Sequence, residues 1–162
     1  MEGRAETPKY SPAVAHGEGP NDDIARSLRQ LADEYGRRVA STASVELDHI
    51  HGEGLFLRPG RPDAQPVGWV DYGDELGVFV GEHGWWRLER QPDDVDFIRL
   101  ICDATIAGHG YEVTAPARSL VVLELADGQL ARHIAGEGCL LQFVPLPGWK
   151  RWGRRVAYQP YD

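Results

Sequence analysis

Long apolar runs are missing from this 162-residue sequence, and no stretch approaches the roughly 18 residues that a membrane-spanning helix needs. The first 20 residues also lack the apolar core that a signal peptide requires. Cysteine is scarce, because Cys102 and Cys139 are the only two. They are too few for a disulfide scaffold and too far apart for a metal-binding motif. These absences predict a cytoplasmic protein with two buried thiols.

Recognisable catalytic motifs are missing as well. The sequence has no Gly-x-Ser-x-Gly segment, and none of its 19 glycines forms a phosphate-binding loop with a lysine. His83 and His109 are flanked by glycines and could act as general bases, but no candidate nucleophile accompanies either of them in the sequence. We therefore predict no cofactor, and the sequence favours a protein without catalytic activity.

Negative charge dominates the composition. There are 25 Asp and Glu residues against 17 Lys and Arg residues, which gives a formal net charge of -8. Four cations lie together near the C-terminus, so the rest of the chain carries a charge of -12 once these are set aside. An acidic body repels nucleic acid and attracts cationic partners. Arginine supplies 15 of the 17 cations, which indicates a high-GC bacterial coding sequence.

Two segments carry helix signals. Apolar residues recur at helical spacing from Ile24 to Val39 behind an acidic cap, which predicts a helix over about 22–40. Pro92 is well placed in a first helical turn, and the two aspartates that follow it stabilise the positive end of the helix dipole. An apolar stripe then continues to Gly108, a natural stop for this second helix.

The remaining pattern is that of strands joined by turns. The YGDE and GEHG segments have turn chemistry suited to hairpins, and no alternation of strands and helices indicates a parallel sheet. We predict strands around 44–48, 55–57, 67–72, 76–80, 85–90, 110–115, 119–126, 129–134 and 139–145.

These elements predict an α+β fold. A single antiparallel sheet, built as a meander, would carry the N-terminal helix and the central helix on one face. Residues 21–162 would form this one domain. Residues 1–20 have three prolines and few large apolar groups, so they are expected to form a disordered tail.

Acidic residues concentrate on the predicted hairpin turns. Asp71, Asp74, Glu75 and Glu82 would lie there, with Trp85 as a neighbouring aromatic residue. Such a concentration at one end of a sheet could form an electrostatic docking face for a basic protein. A solvated rim without a binding role would produce the same pattern, and the sequence leaves both interpretations open.

A metal site is the alternative hypothesis. His49 and His51 would point to the same side of an extended segment, and Glu53 could be a third ligand. This arrangement would suit a small metal-assisted or acid–base enzyme. A polar turn at the edge of a sheet is the simpler interpretation of the same residues.

The C-terminal segment mixes aromatic residues with cations. Such a mixture can bind single-stranded nucleic acid, or it can pack over a sheet edge within an acidic protein. The charge of the rest of the chain favours packing and makes nucleic acid an unfavourable partner. The residues concerned are Trp149, Lys150, Arg151, Trp152, Arg154 and Arg155.

The order of features over about 67–130 is WWRLER, PDD, an apolar helix, an AG-x-G turn, a strand, a DG turn and a further strand. This layout resembles that of small uncharacterised acidic proteins of high-GC bacteria, some of which are immunity proteins of toxin systems. The resemblance implies a protein-binding function without catalysis, in which an acidic face would neutralise a basic toxin. It matches no motif, so it assigns no site residues.

Overall fold

The computed structural model describes residues 23–48, 52–136 and 147–162. Within these ranges the chain forms three helices and nine strands, and the strands pair antiparallel in two sheets. The predicted α+β class with antiparallel pairing is therefore confirmed. The prediction of a single sheet is wrong, because the strands divide between a five-stranded and a four-stranded sheet. The predicted tail at 1–20 and the predicted strand at 139–145 lie outside the described residues.

The five-stranded sheet is the predicted meander, in which each strand pairs with the next along the chain. Alternation places Leu55, Leu57 and Trp69 on the face that meets the core, while Phe56 and Phe79 lie on the outer face. The strands are β1 (Ala43–Asp48), β2 (Glu53–Pro59), β3 (Val67–Asp71), β4 (Glu75–Val80) and β5 (Gly84–Glu89).

Helix α1 (Asp23–Arg38) covers the core with one face, as its apolar periodicity predicts. Leu28, Leu31 and Tyr35 are buried on that face. The ring of Tyr35 meets Trp69 edge-on at 6.2 Å, and its hydroxyl lies 2.9 Å from Asp103 Oδ1 in the second helix. The helix is thereby attached both to the five-stranded sheet and to its helical neighbour.

Helix α2 (Pro92–Ile106) is buried over a much wider arc than a surface helix. At 100° per residue its buried side chains span roughly 200° of the circumference, about twice the stripe that one covering layer accounts for. The helix contacts α1, strands β3 and β4, and strand β7 of the other sheet. Its buried residues are Val95, Ile98, Ile101, Cys102, Ala104, Thr105 and Ile106.

The four-stranded sheet provides the second cover for α2, which is the physical reason for two sheets rather than one. Its order is β8-β7-β6-β9, so the C-terminal strand pairs with β6 across a long connection. Strand β9 and the short helix α3 were not predicted from the sequence. The elements are β6 (Gly110–Ala115), β7 (Arg118–Glu124), β8 (Leu130–Gly136), α3 (Trp149–Trp152) and β9 (Arg154–Ala157).

The C-terminal residues tie the two sheets together. The amide of Tyr158 donates to Gly110 O, and the amide of Tyr161 donates to Ile106 O at the end of α2. The hydroxyl of Tyr161 then donates to Gln65 O at 2.9 Å, beside the five-stranded sheet. One core therefore extends across both sheets and both long helices.

No helix in the described ranges combines the length and the apolar character that crossing a membrane would demand.

The buried Trp69 and the exposed Trp152 give a matched test of this core. Trp69 is 2% exposed and Trp152 is 55% exposed. We expect Trp69→Ala to lower the free energy of unfolding by about 3–5 kcal/mol, because it removes a large side chain from a packed interior. Trp152→Ala should change it by no more than about 1 kcal/mol. Urea unfolding followed by circular dichroism measures both, and equal losses would contradict the described core.

Candidate functional site

Asp71, one of the predicted partner-binding residues, is engaged inside the protein. It ends β3 on the core side of the sheet. Arg90 Nε lies 3.0 Å from Asp71 Oδ1, and Arg90 Nη2 lies 2.9 Å from Asp71 Oδ2, so the guanidinium donates to both carboxylate oxygens. A bidentate ion pair of this kind fixes the relative orientation of the two side chains as well as neutralising their charges. Asp71 therefore fastens the end of β3 to the segment between β5 and α2.

The other three predicted carboxylates are divided between the two ends of the sheet. Asp74 and Glu75 lie at the turn between β3 and β4, whereas Glu82 lies at the turn between β4 and β5. Successive hairpins of a meander turn at opposite ends, so these positions are separated by the length of a strand. Asp74 and Glu82 are exposed, while Glu75 pairs with Arg87 on the neighbouring strand. Their role in binding a partner stays a prediction.

Trp85 belongs to a row of residues that runs across the outer face of the five-stranded sheet. The strand register places Glu46, Phe56, Gly68, Phe79 and Trp85 side by side on β1 to β5. The rings of Phe56 and Phe79 are 5.7 Å apart across the glycine between them. Trp85 is 45% exposed at the end of this row. Tyr72 is also partly exposed, and we call the four aromatic residues Phe56, Tyr72, Phe79 and Trp85 the aromatic face.

Two glycines make room for these rings. A β-carbon at Gly68 would lie 2.5 Å from Phe56 Cδ1, and one at Gly77 would lie 3.0 Å from Tyr72 Cε2. The aromatic side chains therefore lie against the backbone of the sheet. Glycine within a strand weakens the strand unless another group takes the space, so the two glycines and the rings belong together. Both glycines lie inside the strands predicted at 67–72 and 76–80, but the aromatic face itself was not predicted.

Acidic residues surround the aromatic face. Arg58 pairs with Glu46 at 2.8 Å, and Arg87 pairs with Glu75. Glu89 lies directly opposite Glu75 in the strand register. Beyond Glu89, burial together with the negative charge of Glu89 raises the pKa of Asp94 at the start of α2. On this face the carboxylates of Glu46, Glu75 and Glu89 outnumber the two arginines by one.

The predicted metal ligands are only partly described. His49 and His51 lie outside the described residues, while Glu53 begins β2 and is exposed. In the described ranges no group of three or more His, Cys, Asp and Glu side chains is arranged to hold a metal ion. The metal-assisted alternative accordingly stays a prediction that rests on the sequence.

The structure joins His83 and Glu112, a pair that sequence analysis missed. His83 Nδ1 lies 2.6 Å from Glu112 Oε1, and their side chains are 22% and 12% exposed. His83 is in the turn between β4 and β5 and Glu112 is in β6, so the pair bridges the two sheets. The Tyr158 hydroxyl is buried and has no hydrogen-bond partner among the described residues. Burial and the charge of Glu112 raise the pKa of Tyr158. His109, the other candidate base, is exposed at the end of α2.

The C-terminal aromatic and basic segment packs on the four-stranded sheet. Trp149 is buried against Val113, Leu120 and Val122 on the outer face of that sheet. The charged ends of Arg118 and Lys150 each lie 5.9 Å from the centre of the Trp149 ring. Packing by Trp149 thus agrees with the interpretation favoured by the sequence. Of the remaining residues of the segment, Trp152, Arg151, Arg154 and Arg155 are exposed.

No protein-family model matches this chain, and no curated protein and no solved structure matches it significantly. The site must accordingly be interpreted from its own geometry.

The His83–Glu112 contact gives a test of how the two sheets are joined. We expect a double-mutant cycle with His83→Ala and Glu112→Ala to yield a coupling free energy of about 1–3 kcal/mol, since both groups are largely removed from water. The exposed Arg58–Glu46 pair is the matched control and should yield less than about 1 kcal/mol. Urea unfolding of the unaltered protein, the four single variants and the two double variants supplies both values. A coupling for His83 and Glu112 no larger than that of the control would contradict a bridging role.

Proposed function

We propose that this protein is a non-enzymatic binding module, and that the aromatic face with its acidic surroundings docks a basic protein partner. The observation that supports this proposal is the row of aromatic side chains on an outer sheet face. Scattered apolar residues on a surface need no explanation, but a contiguous aromatic set is typical of an interaction site. An immunity-type role, in which the partner is a basic toxin, is the specific form of the proposal that the resemblance in layout implies.

The aromatic side chains would supply most of the binding energy. Tyrosine and tryptophan are enriched among the residues that dominate protein interfaces, because they bury a large area while losing little conformational freedom. Trp85 and Tyr72 are the most exposed of the four, so they are the natural anchors. Phe56 and Phe79 would form the apolar floor between them. Contacts of this kind require no catalytic group.

The carboxylates would select the sign of the partner's charge. Asp74, Glu82 and Glu89 are exposed at the margins of the aromatic face. Rim charges of this kind act chiefly through the association rate and its dependence on salt. Asp71 is not a partner contact in this proposal. Arg90 donates to both of its carboxylate oxygens, so Asp71 supports the sheet from within.

The proposal is tested with a partner recovered from the native source, purified and titrated against variants. We expect Trp85→Ala to weaken binding by about 2 kcal/mol or more, roughly 30-fold, because the variant removes an interface anchor. Trp152→Ala is the matched control, since it removes an exposed tryptophan from α3, away from the five-stranded sheet. Its dissociation constant should equal that of the unaltered protein. If both variants bind alike, the aromatic face is not the docking surface.

A second pair of variants tests the charges. We expect Asp74→Lys/Glu89→Lys to reduce the association rate by about tenfold at low salt and to have less effect at high salt. Glu89 is chosen over Glu75 because altering Glu75 would also break its pair with Arg87. The control Asp33→Lys/Asp127→Lys changes the net charge equally at two exposed positions elsewhere. Stopped-flow kinetics give both rates, and equal effects would show that net charge alone acts.

A further inference from the structure

The outer face of the four-stranded sheet holds a cleft with a volume of about 250 Å³. Three of its lining residues are cations, Arg132, Lys150 and Arg155. The others form an apolar and aromatic floor. They are Tyr111, Val113, Leu120, Val122 and Ile134.

The strand register explains how the cations come to surround this floor. Arg132 lies beside Val122 at the β8 edge, and Arg155 lies beside Val113 at the β9 edge. Three strand spacings separate these edges, which is about 14 Å between backbones. Lys150 approaches from α3, which is held on the sheet by its neighbour Trp149. Long side chains reaching inwards from both edges leave room between their charged ends for a small group.

The Arg155 guanidinium is positioned by an aromatic ring. Its central carbon lies 3.6 Å from the centre of the Tyr111 ring, a close cation–π contact. Across the described part of the chain, neither Arg132, Lys150 nor Arg155 forms an ion pair with a carboxylate. In a protein with a net charge of -8, a cleft lined by cations attracts anions that the rest of the surface repels.

We propose that this cleft binds a small amphiphilic anion, namely a phosphate or carboxylate carried on an aromatic ring or a short acyl chain. The cations would bind the charged group, and the floor would bury the apolar part. The volume lies just below the usual range for ligand pockets, which fits a ligand of that size. A nucleic-acid strand fits less well, because Trp149 is buried by packing and Trp152 alone of the segment's aromatic residues is exposed for stacking. This site lies on a different sheet from the aromatic face and goes beyond the proposed protein-binding function.

The proposal is tested by calorimetric titration with three probes of matched chemistry. They are 1-naphthyl phosphate, 1-naphthol and inorganic phosphate. We expect 1-naphthyl phosphate to bind with one-to-one stoichiometry. The other two should bind more weakly by a factor of about ten or more, because each lacks one half of the contacts. Equal binding of 1-naphthol would reduce the site to an apolar patch, and equal binding of inorganic phosphate would leave the floor without a role. Either result would overturn the proposal, as would a failure of 1-naphthyl phosphate to bind at millimolar concentration.

Variants locate the binding. Arg132→Gln and Arg155→Gln should each weaken 1-naphthyl phosphate binding by about tenfold or more. Lys150→Gln, on the exposed surface of α3, should also weaken it and provides a variant with little risk to folding. Arg37→Gln on α1 is the matched control and should leave the affinity unchanged. Binding that is indifferent to all three cleft variants would overturn the assignment. The proposal would also be overturned if a single-stranded oligonucleotide or anionic lipid vesicles bound more tightly than 1-naphthyl phosphate and lost affinity in the same variants.

Discussion

Helix α2 is buried over roughly 200° of its circumference, and the rest of the architecture follows from the need to cover it. Ile98, Ile101 and Cys102 are completely buried, and the Thr105 hydroxyl is satisfied internally by Ile101 O at 2.8 Å. A single twisted sheet can cover only one side of such a helix. The five-stranded meander covers α2 through β3 and β4, the four-stranded sheet covers it through β7, and α1 completes the enclosure. Burial of the Cys102 thiol raises its pKa, in keeping with a cysteine that acts as a small apolar side chain.

This arrangement leaves each sheet with an outer face that the core does not use. The two outer faces differ in chemistry because they differ in sequence pattern. On the five-stranded sheet, aromatic rings lie over Gly68 and Gly77 beside paired carboxylates and arginines. On the four-stranded sheet, cations surround an apolar and aromatic floor. The proposed docking face and the proposed anion cleft therefore lie on different sheets.

Local signals in the sequence predicted the helices and the meander, but they do not predict contacts between distant segments. The cap before Ile24, Pro92 at the start of α2 and alternation along β3 to β5 all act within a few residues. The division into two sheets falls between β5 and β6, on either side of α2 in the chain, and it reflects packing around that helix. The pairing of β9 with β6 joins distant segments, and RRVA has neither clear alternation nor a turn signal to reveal it. His83 and Glu112 meet because the sheets are joined, which no local pattern encodes. For the aromatic face a signal did exist, since a glycine in mid-strand beside an aromatic residue on the next strand indicates a ring lying over the sheet.

We expect both sheets and the helix between them to unfold as one cooperative unit. Native-state hydrogen exchange of the β3 and β7 amides measures this, because these strands lie in different sheets and both contact α2. The slowest amides of both strands should exchange with one free energy of opening, equal to the free energy of global unfolding in urea. If β7 opens at a free energy lower than that of β3 by more than about 2 kcal/mol, the four-stranded sheet unfolds as a separate unit and the two sheets do not share one core.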